Sequence, residues 1–160
     1  MKKKPKLIVV CGPTATGKSD LAVEIARKFS SEVISADSRQ VYKGMDIGTA
    51  KLTMAQRDAV LHHLIDVLDI TEEANVSWYQ QIARDKIDEL IALGKSVVVV
   101  GGTGLYIKAI LDDLNFPDTD PIVRQKITDE AERLGNDVMH ERLAKLDPAA
   151  SLAIPKENIR

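Results

Sequence analysis

The sequence predicts an α/β fold in which a parallel sheet is flanked by helices. Two continuous apolar runs rich in valine and isoleucine, at residues 6–11 and 95–100, are typical of strands buried on both faces of a parallel sheet. Amphipathic helical patterns at residues 18–29 and 77–93 lie between and beside these runs. Strand and helix therefore alternate along the chain, as they do in α/β proteins.

The remaining elements of this core follow from weaker signals. Residues 32–36 and 63–67 are short apolar runs and are interpreted as two further strands. In the second helical pattern, Ser77 and Gln80 have the spacing of a capping box, and Gly94 is placed to end the helix. Four strands and two long helices are thus expected before residue 100.

The character of the chain changes after Leu114. Residues 115–119 are rich in turn formers, and no β-rich run follows them. Asp120-Pro121 and Asp147-Pro148 each have the pattern of an N-cap followed by proline at the first helical position, and Gly135 ends the first of the resulting helices. We therefore expect an α/β core over residues 1–115 and the start of an incomplete helical insertion over residues 116–160.

Composition excludes several classes of protein. The chain has 160 residues, 44% of them hydrophobic, 29% charged and 4% aromatic, with a formal net charge of −2. These values are typical of an ordinary folded domain with a mainly aliphatic core, and not of a disordered or membrane-spanning chain. The single cysteine, Cys11, excludes an intramolecular disulfide and a cysteine metal cluster.

The N-terminal sequence favours a cytoplasmic location. Lysines precede the apolar run 7–11, but Gly12 and Pro13 end that run after about five residues, short of the roughly 7 to 15 of a signal peptide. A reducing compartment also suits a chain with one cysteine. We expect a cytoplasmic monomer with no membrane association.

The strongest motif is a phosphate-binding loop. Residues 12–19 match the pattern G-x-x-x-x-G-K-[ST], with an apolar strand before them and an amphipathic helix after them. In such loops backbone N–H groups surround the phosphates of ATP or another phosphorylated ligand, the lysine adds a full positive charge, and the Ser/Thr hydroxyl binds Mg²⁺. The motif predicts a P-loop NTPase-like sheet with Mg²⁺ as cofactor and Ser19 as its ligand. The residues expected to hold phosphate are Gly12, Pro13, Thr14, Ala15, Thr16, Gly17, Lys18 and Ser19.

Asp37 follows the second predicted strand and is the next candidate. Ligands of doubly wound sheets bind outside the carboxyl ends of the strands, so Asp37 should face the phosphate loop. It could hold Mg²⁺ through water or act as a general base. A plain structural role, capping the turn at residues 38–40, is the alternative.

Three further features carry less chemical information. The glycine-rich turn at residues 101–104 follows a strand, and it is either part of the site or a plain strand-to-helix connection. His62 and His63 lack the spacing of a zinc helix and are interpreted as edge or core residues without a metal role. Trp78 is interpreted as an anchor for helix packing.

Five sequence blocks occur in a characteristic order. They are GPTATGKS at 12–19, DSRQVY at 37–42, GTAK at 48–51, HHLID at 62–66 and VGGTGLY at 100–106. Together they resemble the tRNA dimethylallyltransferase family, also called the tRNA isopentenyltransferases, and the resemblance covers essentially the whole chain. The block at 37–42 distinguishes that family from ordinary P-loop kinases.

The resemblance implies a reaction and its partners. A dimethylallyl group would move from dimethylallyl diphosphate to the exocyclic N6 of adenine 37, beside the anticodon of a tRNA. The P-loop would hold the leaving diphosphate, with Lys18 and Mg²⁺ stabilising its charge. The adenine must leave its stack to react, so the resemblance implies a pocket between the P-loop and Asp37.

The resemblance also assigns individual residues. It implies Lys18, Asp37 and Thr103 as catalytic residues, with Asp37 taking the proton from the attacking amine. The residues implied to contact tRNA are Asp37, Ser38, Arg39, Gln40, Thr103 and Arg124. Because a net charge of −2 is not the basic excess of a typical nucleic-acid binder, local basic residues such as Lys43 and Lys51 are expected to supply further phosphate contacts.

Two other functions use the same loop. A nucleoside or nucleotide kinase is the main alternative, but an arginine-rich lid is not evident between residues 103 and 135 beyond Arg124 and Arg133. A guanine-nucleotide switch would need an Asn/Thr-Lys-x-Asp block, and the sequence has none. The order of the five blocks favours the transferase.

Overall fold

A computed structural model describes residues 5–57, 59–112, 114–116 and 120–158 of the chain. Contacts divide the chain into two compact units, Met1–Asn115 and Phe116–Arg160. The predicted junction at residues 115–119 lies partly outside the described residues. Within those residues, no helix combines the length and the apolar character needed to cross a membrane.

The first unit contains a parallel sheet, and this confirms the predicted fold class. Its strands are β1 (Leu7–Cys11), β2 (Glu32–Ser35), β3 (His62–His63) and β4 (Val97–Gly101). They are ordered β1-β4-β2-β3, and every pairing is parallel. Helices α1 (Lys18–Phe29), α2 (Val76–Ala92) and α3 (Gly104–Leu111) follow β1, β3 and β4 respectively.

The central strand β4 is covered on both faces of the sheet, which explains why its sequence is apolar throughout. Val97 and Val99 pack into a cluster with α2 and α3, whereas Val98 and Val100 pack into a second cluster with α1. Successive side chains of a strand point to opposite faces, so a strand covered on both faces must be apolar throughout. The core is mainly aliphatic, as expected, and its exception is a stacked pair of tyrosines, Tyr79 and Tyr106, with ring centroids 3.8 Å apart.

The predicted third strand is largely wrong. Residues 63–67 were expected to be extended, but β3 is only His62–His63, which pair with Val33 and Ile34 at the edge of the sheet. Leu64 and Asp66 have φ angles of 62° and 58°, in the left-handed region, and such residues cannot continue a strand. The prediction that both histidines occupy an edge or core position is confirmed.

The predicted capping box of the second helix is also wrong. The N-cap of α2 is Asn75, whose side chain accepts a hydrogen bond from the backbone N–H of Trp78 at 2.8 Å. Gln80 instead donates its side-chain amide to the carbonyl oxygens of Ala109 and Leu114, because it faces α3 and the segment after it. Trp78, in the first turn of α2, packs against the core, in agreement with its interpretation as a packing anchor.

The described residues of the second unit form three helices, α4 (Pro121–Leu134), α5 (Asn136–Leu146) and α6 (Pro148–Ala153). Asp120 caps α4 through the N–H of Ile122 at 2.8 Å, and Asp147 caps α6 through the N–H of Ala150 at 2.9 Å. Both predicted Asp-Pro helix starts are therefore confirmed. A proline at the first helical position costs nothing there, because the N–H it lacks would have no partner within the helix.

Candidate active site at the carboxyl edge of the sheet

The phosphate loop connects β1 directly to α1. Gly17 is the N-cap of α1 and has φ 77°, a left-handed conformation that glycine adopts without steric cost. None of the backbone hydrogen bonds that the described residues form outside helices and strands uses an N–H of residues 14–19. These N–H groups stand at the positive end of the α1 dipole, so the loop has the unpaired donors that an anion requires.

Lys18 contacts its own loop. Its Nζ donates to the carbonyl oxygen of Pro13 at 2.9 Å, and the Thr16 hydroxyl donates to the same oxygen at 2.8 Å. The residue is half-buried. The ammonium group lies within the loop, where it can add a full positive charge beside a bound phosphate.

The order of the strands brings Asp37 to this loop. β4 lies between β1 and β2, so β2 is not the direct neighbour of the loop-bearing strand. Gly101, at the end of β4, allows the chains to approach, because a Cβ built on it would lie 2.0 Å from the carbonyl oxygen of Ala36. The glycine turn at residues 101–104 therefore packs against the backbone that precedes Asp37, and a larger residue at 101 would push the Asp37 turn away.

Asp37 begins a turn in which its side chain has a fixed orientation. Its Oδ1 accepts hydrogen bonds from the backbone N–H groups of Arg39, at 2.9 Å, and Gln40, at 3.4 Å. The capping alternative is therefore realised through one carboxylate oxygen. Among the described residues Oδ2 has no hydrogen-bond donor, so this oxygen can accept a proton or bind a metal.

Thr103 is joined to the same turn. Its Oγ1 accepts a hydrogen bond from the backbone N–H of Ser38 at 3.0 Å and lies 3.4 Å from the Ser38 hydroxyl. The backbone N–H of Thr103 donates to the carbonyl oxygen of Ala36 at 3.1 Å. The turns after β2 and β4 thus form one hydrogen-bonded unit.

A polar pocket lies between the P-loop and the Asp37 turn. It contains three of the residues predicted to hold phosphate, together with Asp37 and Gln40, and it also contains residues that sequence reasoning missed. The lining residues are Thr14, Lys18, Ser19, Ser35, Asp37, Gln40, Thr49, Ala50, Val100 and Gly101. Thr49 and Ala50 belong to the Gly-Thr-Ala-Lys block, which was the available signal for them.

Gln40 connects the two sides of this pocket. Its Nε2 donates to the carbonyl oxygen of Thr49 at 3.0 Å, and its Oε1 accepts from the Ser35 hydroxyl at 3.3 Å. The backbone of Ser35 is fixed in turn, because the buried hydroxyl of Tyr79 donates to its carbonyl oxygen at 2.9 Å. Burial raises the pKa of Tyr79, so this phenol remains a hydrogen-bond donor at physiological pH.

The basic residues near the site do not all have the predicted role. Arg39 and Lys43 are exposed. Lys51, expected to contact phosphate, instead has a nearly buried side chain that pairs with Asp46 and Asp66. Arg124 lies in the first turn of α4 and so belongs to the second unit.

Comparison with protein families gives a match to the model described as IPP transferase over residues 40–160. The tRNA dimethylallyltransferase of Streptomyces griseus is 52% identical over 156 residues, which is 98% of this chain and 50% of that protein. The corresponding protein of Saccharopolyspora erythraea is 53% identical over 156 residues, with the same coverage of both. The chain spans about half the length of the curated relatives that it matches.

Solved structures give the same result for the fold. A full-length tRNA isopentenylpyrophosphate transferase from Bacillus halodurans is 42% identical, with a TM-score of 0.68, and the match covers 98% of this chain and 52% of that one. A eukaryotic dimethylallyltransferase, whose crystallographic snapshots show it acting on tRNA, is 30% identical, with a TM-score of 0.81. This second match covers 95% of the present chain and 38% of the eukaryotic one.

Proposed function

Because the chain belongs to the IPP transferase family, we propose that it forms the diphosphate-binding half of a tRNA-modifying prenyltransferase. The reaction transfers a dimethylallyl group from dimethylallyl diphosphate to N6 of adenine 37 in tRNA. The observation that carries the proposal is the pocket in which Lys18 and Ser19 of the phosphate loop face Asp37. The side formed by the phosphate loop suits a leaving diphosphate. The opposite side carries Asp37, a group that can accept a proton.

The chemistry needs a charged leaving group and a proton acceptor. N6 of adenine forms a bond to the allylic carbon, and the bond from that carbon to the diphosphate oxygen breaks. The diphosphate leaves with the electron pair, where Lys18 and the unpaired N–H groups of residues 14–19 stabilise its charge. The proton from N6 passes to Asp37, whose Oδ1 is occupied by the turn while Oδ2 is available.

The residues of the pocket also fit Mg²⁺. Ser19 and Asp37 offer a hydroxyl and a carboxylate oxygen to the same space, and hard oxygen ligands are those that Mg²⁺ prefers. The described residues contain no cluster of three or more acidic, histidine or cysteine side chains that could form an all-protein metal site. A Mg²⁺ ion held by Ser19 and phosphate oxygens would offset negative charge on the leaving diphosphate, and Asp37 would remain the proton acceptor.

The tRNA contacts are proposed from the same geometry. Ser38, Arg39 and Gln40 follow Asp37 in the turn, and we assign them to an adenine flipped out beside it. Thr103 supports this turn through Ser38. We assign Arg124, on the first turn of α4, to the tRNA backbone. We also propose a cytoplasmic location, where a reducing environment keeps the exposed thiol of Cys11 free.

The first test measures binding of pyrophosphate by calorimetry. The chain should bind pyrophosphate in the presence of Mg²⁺, and Lys18→Ala should weaken binding by about 10- to 100-fold, since a hydrogen bond to a charged group contributes about 1.5–3 kcal/mol. Lys28→Ala is the matched control, because Lys28 lies exposed at the other end of the same helix. Equal binding by a folded Lys18→Ala protein would contradict the assignment.

The second test measures transfer. The chain would replace the matching half of the Streptomyces griseus relative in a chimera, which is then incubated with labelled dimethylallyl diphosphate and unmodified tRNA. Label should appear on N6 of adenine 37 and be lost with Lys18→Ala. A folded chimera that binds pyrophosphate but transfers no label to tRNA would refute the prenyltransferase proposal.

A further inference from the structure

Lys51 has an almost fully buried side chain whose ammonium group contacts three oxygens. Its Nζ donates to carboxylate oxygens of Asp46 and Asp66, each at 2.7 Å, and to the carbonyl oxygen of Tyr42 at 2.9 Å. The side chain is only 4% exposed. An ammonium group has three N–H donors, so this arrangement uses all of them. Lys51 therefore has no donor left for a phosphate.

The partners of Lys51 come from two separate segments. Tyr42 and Asp46 lie in the stretch that follows the Asp37 turn, whereas Asp66 follows β3. Burial by itself lowers the pKa of Lys51, but the hydrogen bonds to Asp46 and Asp66 outweigh it and raise the pKa above its ordinary value. The cation therefore remains charged at physiological pH and holds these two segments together.

The residue next to Lys51 forms part of the phosphate pocket. Ala50 lines the pocket that contains Lys18, Ser19 and Asp37. It also lines a neighbouring cavity between the start of α1 and residues 50–52. The residue before Ala50 is Thr49, whose carbonyl oxygen accepts a hydrogen bond from the Gln40 side chain. The residue after Ala50 is Lys51. Ala50 is thus fixed from both sides against the phosphate loop.

Two residues of these segments, Ala50 and Asp66, have an unfavourable backbone conformation. Ala50 has φ 52° and Asp66 has φ 58°, in the left-handed region that residues other than glycine seldom adopt. Such conformations persist only where surrounding contacts hold them, and they concentrate at functional sites. Lys51 bonds to the Asp66 carboxylate, the Asp66 N–H donates to the carbonyl oxygen of Gln40, and the Gln40 side chain bonds to Thr49, the residue before Ala50.

We infer that Lys51 is a positioning residue, which holds Thr49 and Ala50 as the outer wall of the diphosphate pocket without contacting the diphosphate. The inference rests on the proposed function, because it assigns diphosphate to that pocket. A positioning role and a direct phosphate contact predict different effects on anion binding when Asp66, an acidic partner of Lys51, is removed. Removing Asp66 deletes a negative charge near an anion site, and charge alone would then strengthen anion binding.

The test compares pyrophosphate affinity in Lys51→Met and Asp66→Gly. Glycine accepts the positive φ at position 66, so the change removes the carboxylate, including its longer contact with Arg57 at 3.8 Å, without adding backbone strain. Both variants should weaken pyrophosphate binding by roughly 5- to 150-fold, the range found when two separate sites are coupled. In the double variant the effects should be less than additive, because each change disrupts the same contact.

The control is Lys95→Met. Lys95 pairs with Glu32 at the amino edge of the sheet, away from the phosphate loop, so its removal also breaks an ion pair between a lysine and a carboxylate. It should leave pyrophosphate affinity unchanged. If Lys95→Met weakens binding as much as Lys51→Met does, the effect is general destabilisation and the inference is wrong.

The remaining outcomes separate the two proposals. Asp66→Gly with unchanged or tighter pyrophosphate binding would overturn the positioning role, and this variant carries the test if Lys51→Met does not fold. A wild-type chain that fails to bind pyrophosphate would overturn both the positioning role and the proposed function. Wild-type binding that is lost with Lys18→Ala but unaffected by both Lys51→Met and Asp66→Gly would overturn the positioning role alone.

Discussion

The side-chain oxygen of Thr103 accepts a hydrogen bond from the backbone N–H of Ser38 at 3.0 Å, across 65 positions of sequence. Through this contact the turn after β4 fixes the turn after β2, in which Asp37 lies. The two turns approach because their strands are adjacent and parallel, with Ser35 in register with Val100. Thr103 therefore acts on the site through the backbone that carries Asp37.

The Thr103 contact can be tested with Thr103→Val. Valine has nearly the same shape but cannot accept a hydrogen bond, so the part-buried N–H of Ser38 loses its acceptor at a cost of about 1–3 kcal/mol. The free energy of unfolding, measured with urea, should fall by that amount. Thr103→Ser keeps the hydroxyl and should retain most of the stability. Equal stability of the valine variant and the wild type would show that this contact contributes nothing.

Asp37 can be tested as the base with Asp37→Asn. Asparagine can still accept the two backbone hydrogen bonds that form the turn, but it has little basicity. Base assistance contributes roughly 10² to 10⁴ in rate, so single-turnover transfer by the chimera should slow by about that factor. The affinity for dimethylallyl diphosphate should change little.

A different result would assign Asp37 to the metal. If added Mg²⁺ restores the rate of Asp37→Asn, the carboxylate acts chiefly as a ligand. The same conclusion would follow if affinity for dimethylallyl diphosphate falls strongly while the chemical step is intact.

Close packing at the carboxyl edge of the sheet predicts that alanine substitutions at the adjacent Gly101 and Gly102 lower the free energy of unfolding by different amounts. In Gly101→Ala the new Cβ would lie 2.0 Å from the carbonyl oxygen of Ala36, so the backbone must shift, and we expect a loss of about 3 kcal/mol or more. In Gly102→Ala the nearest atom is the carbonyl oxygen of Gly12 at 3.4 Å, so the loss should be small. Thermal and urea unfolding of both variants measure the difference, and similar losses would contradict the packing argument.

His62 predicts a pH dependence of stability. Burial lowers the pKa of His62 below 6.5 and outweighs the hydrogen bond to the carbonyl oxygen of Val60, which raises it, while the positive charge of Arg57 lowers it further. As pH falls below 6.5, the unfolded chain takes up a proton at this imidazole before the folded chain does, so the free energy of unfolding decreases. Hydrogen bonding by Lys95 lowers the pKa of Glu32 below 4.5, so Glu32 stays ionised at about pH 5.5 and does not contribute there.

The measurement compares wild type with His62→Gln. Urea unfolding at about pH 7 and about pH 5.5 should show a loss on the order of 1 kcal/mol for the wild type and a smaller loss for the variant. The variant has no group that titrates at position 62. The same loss in both proteins would mean that His62 does not cause the pH dependence.

Sequence patterns predicted the elements whose cause is local. The first helix begins at Lys18 and ends at Phe29 as expected, because the apolar stripe and the glycine before it act over neighbouring residues. Asp120 and Asp147 cap their helices as expected, because a cap contacts N–H groups two or three positions away. The residues of the phosphate loop are similarly determined by an eight-residue pattern.

Local sequence patterns did not determine features that depend on a partner far away in the chain. The order of the strands depends on which apolar faces pack together, and the short pattern around β2 contains no information that β4 lies between it and β1. Gln80 has the spacing of a capping residue but contacts α3, since side-chain amides bond to whatever carbonyl the packing brings near.

By itself the sequence determined the fold class, the phosphate loop, the helix caps in the second unit and the family to which the chain is similar. Only the tertiary structure decided that Thr103 supports the Asp37 turn, that Gly101 must be small and that Lys51 pairs with Asp46 and Asp66. The physical reason is the range of the interactions. Helix propensity, capping and glycine geometry act over a few residues, whereas burial and ion pairing depend on which distant segments the sheet brings to one edge.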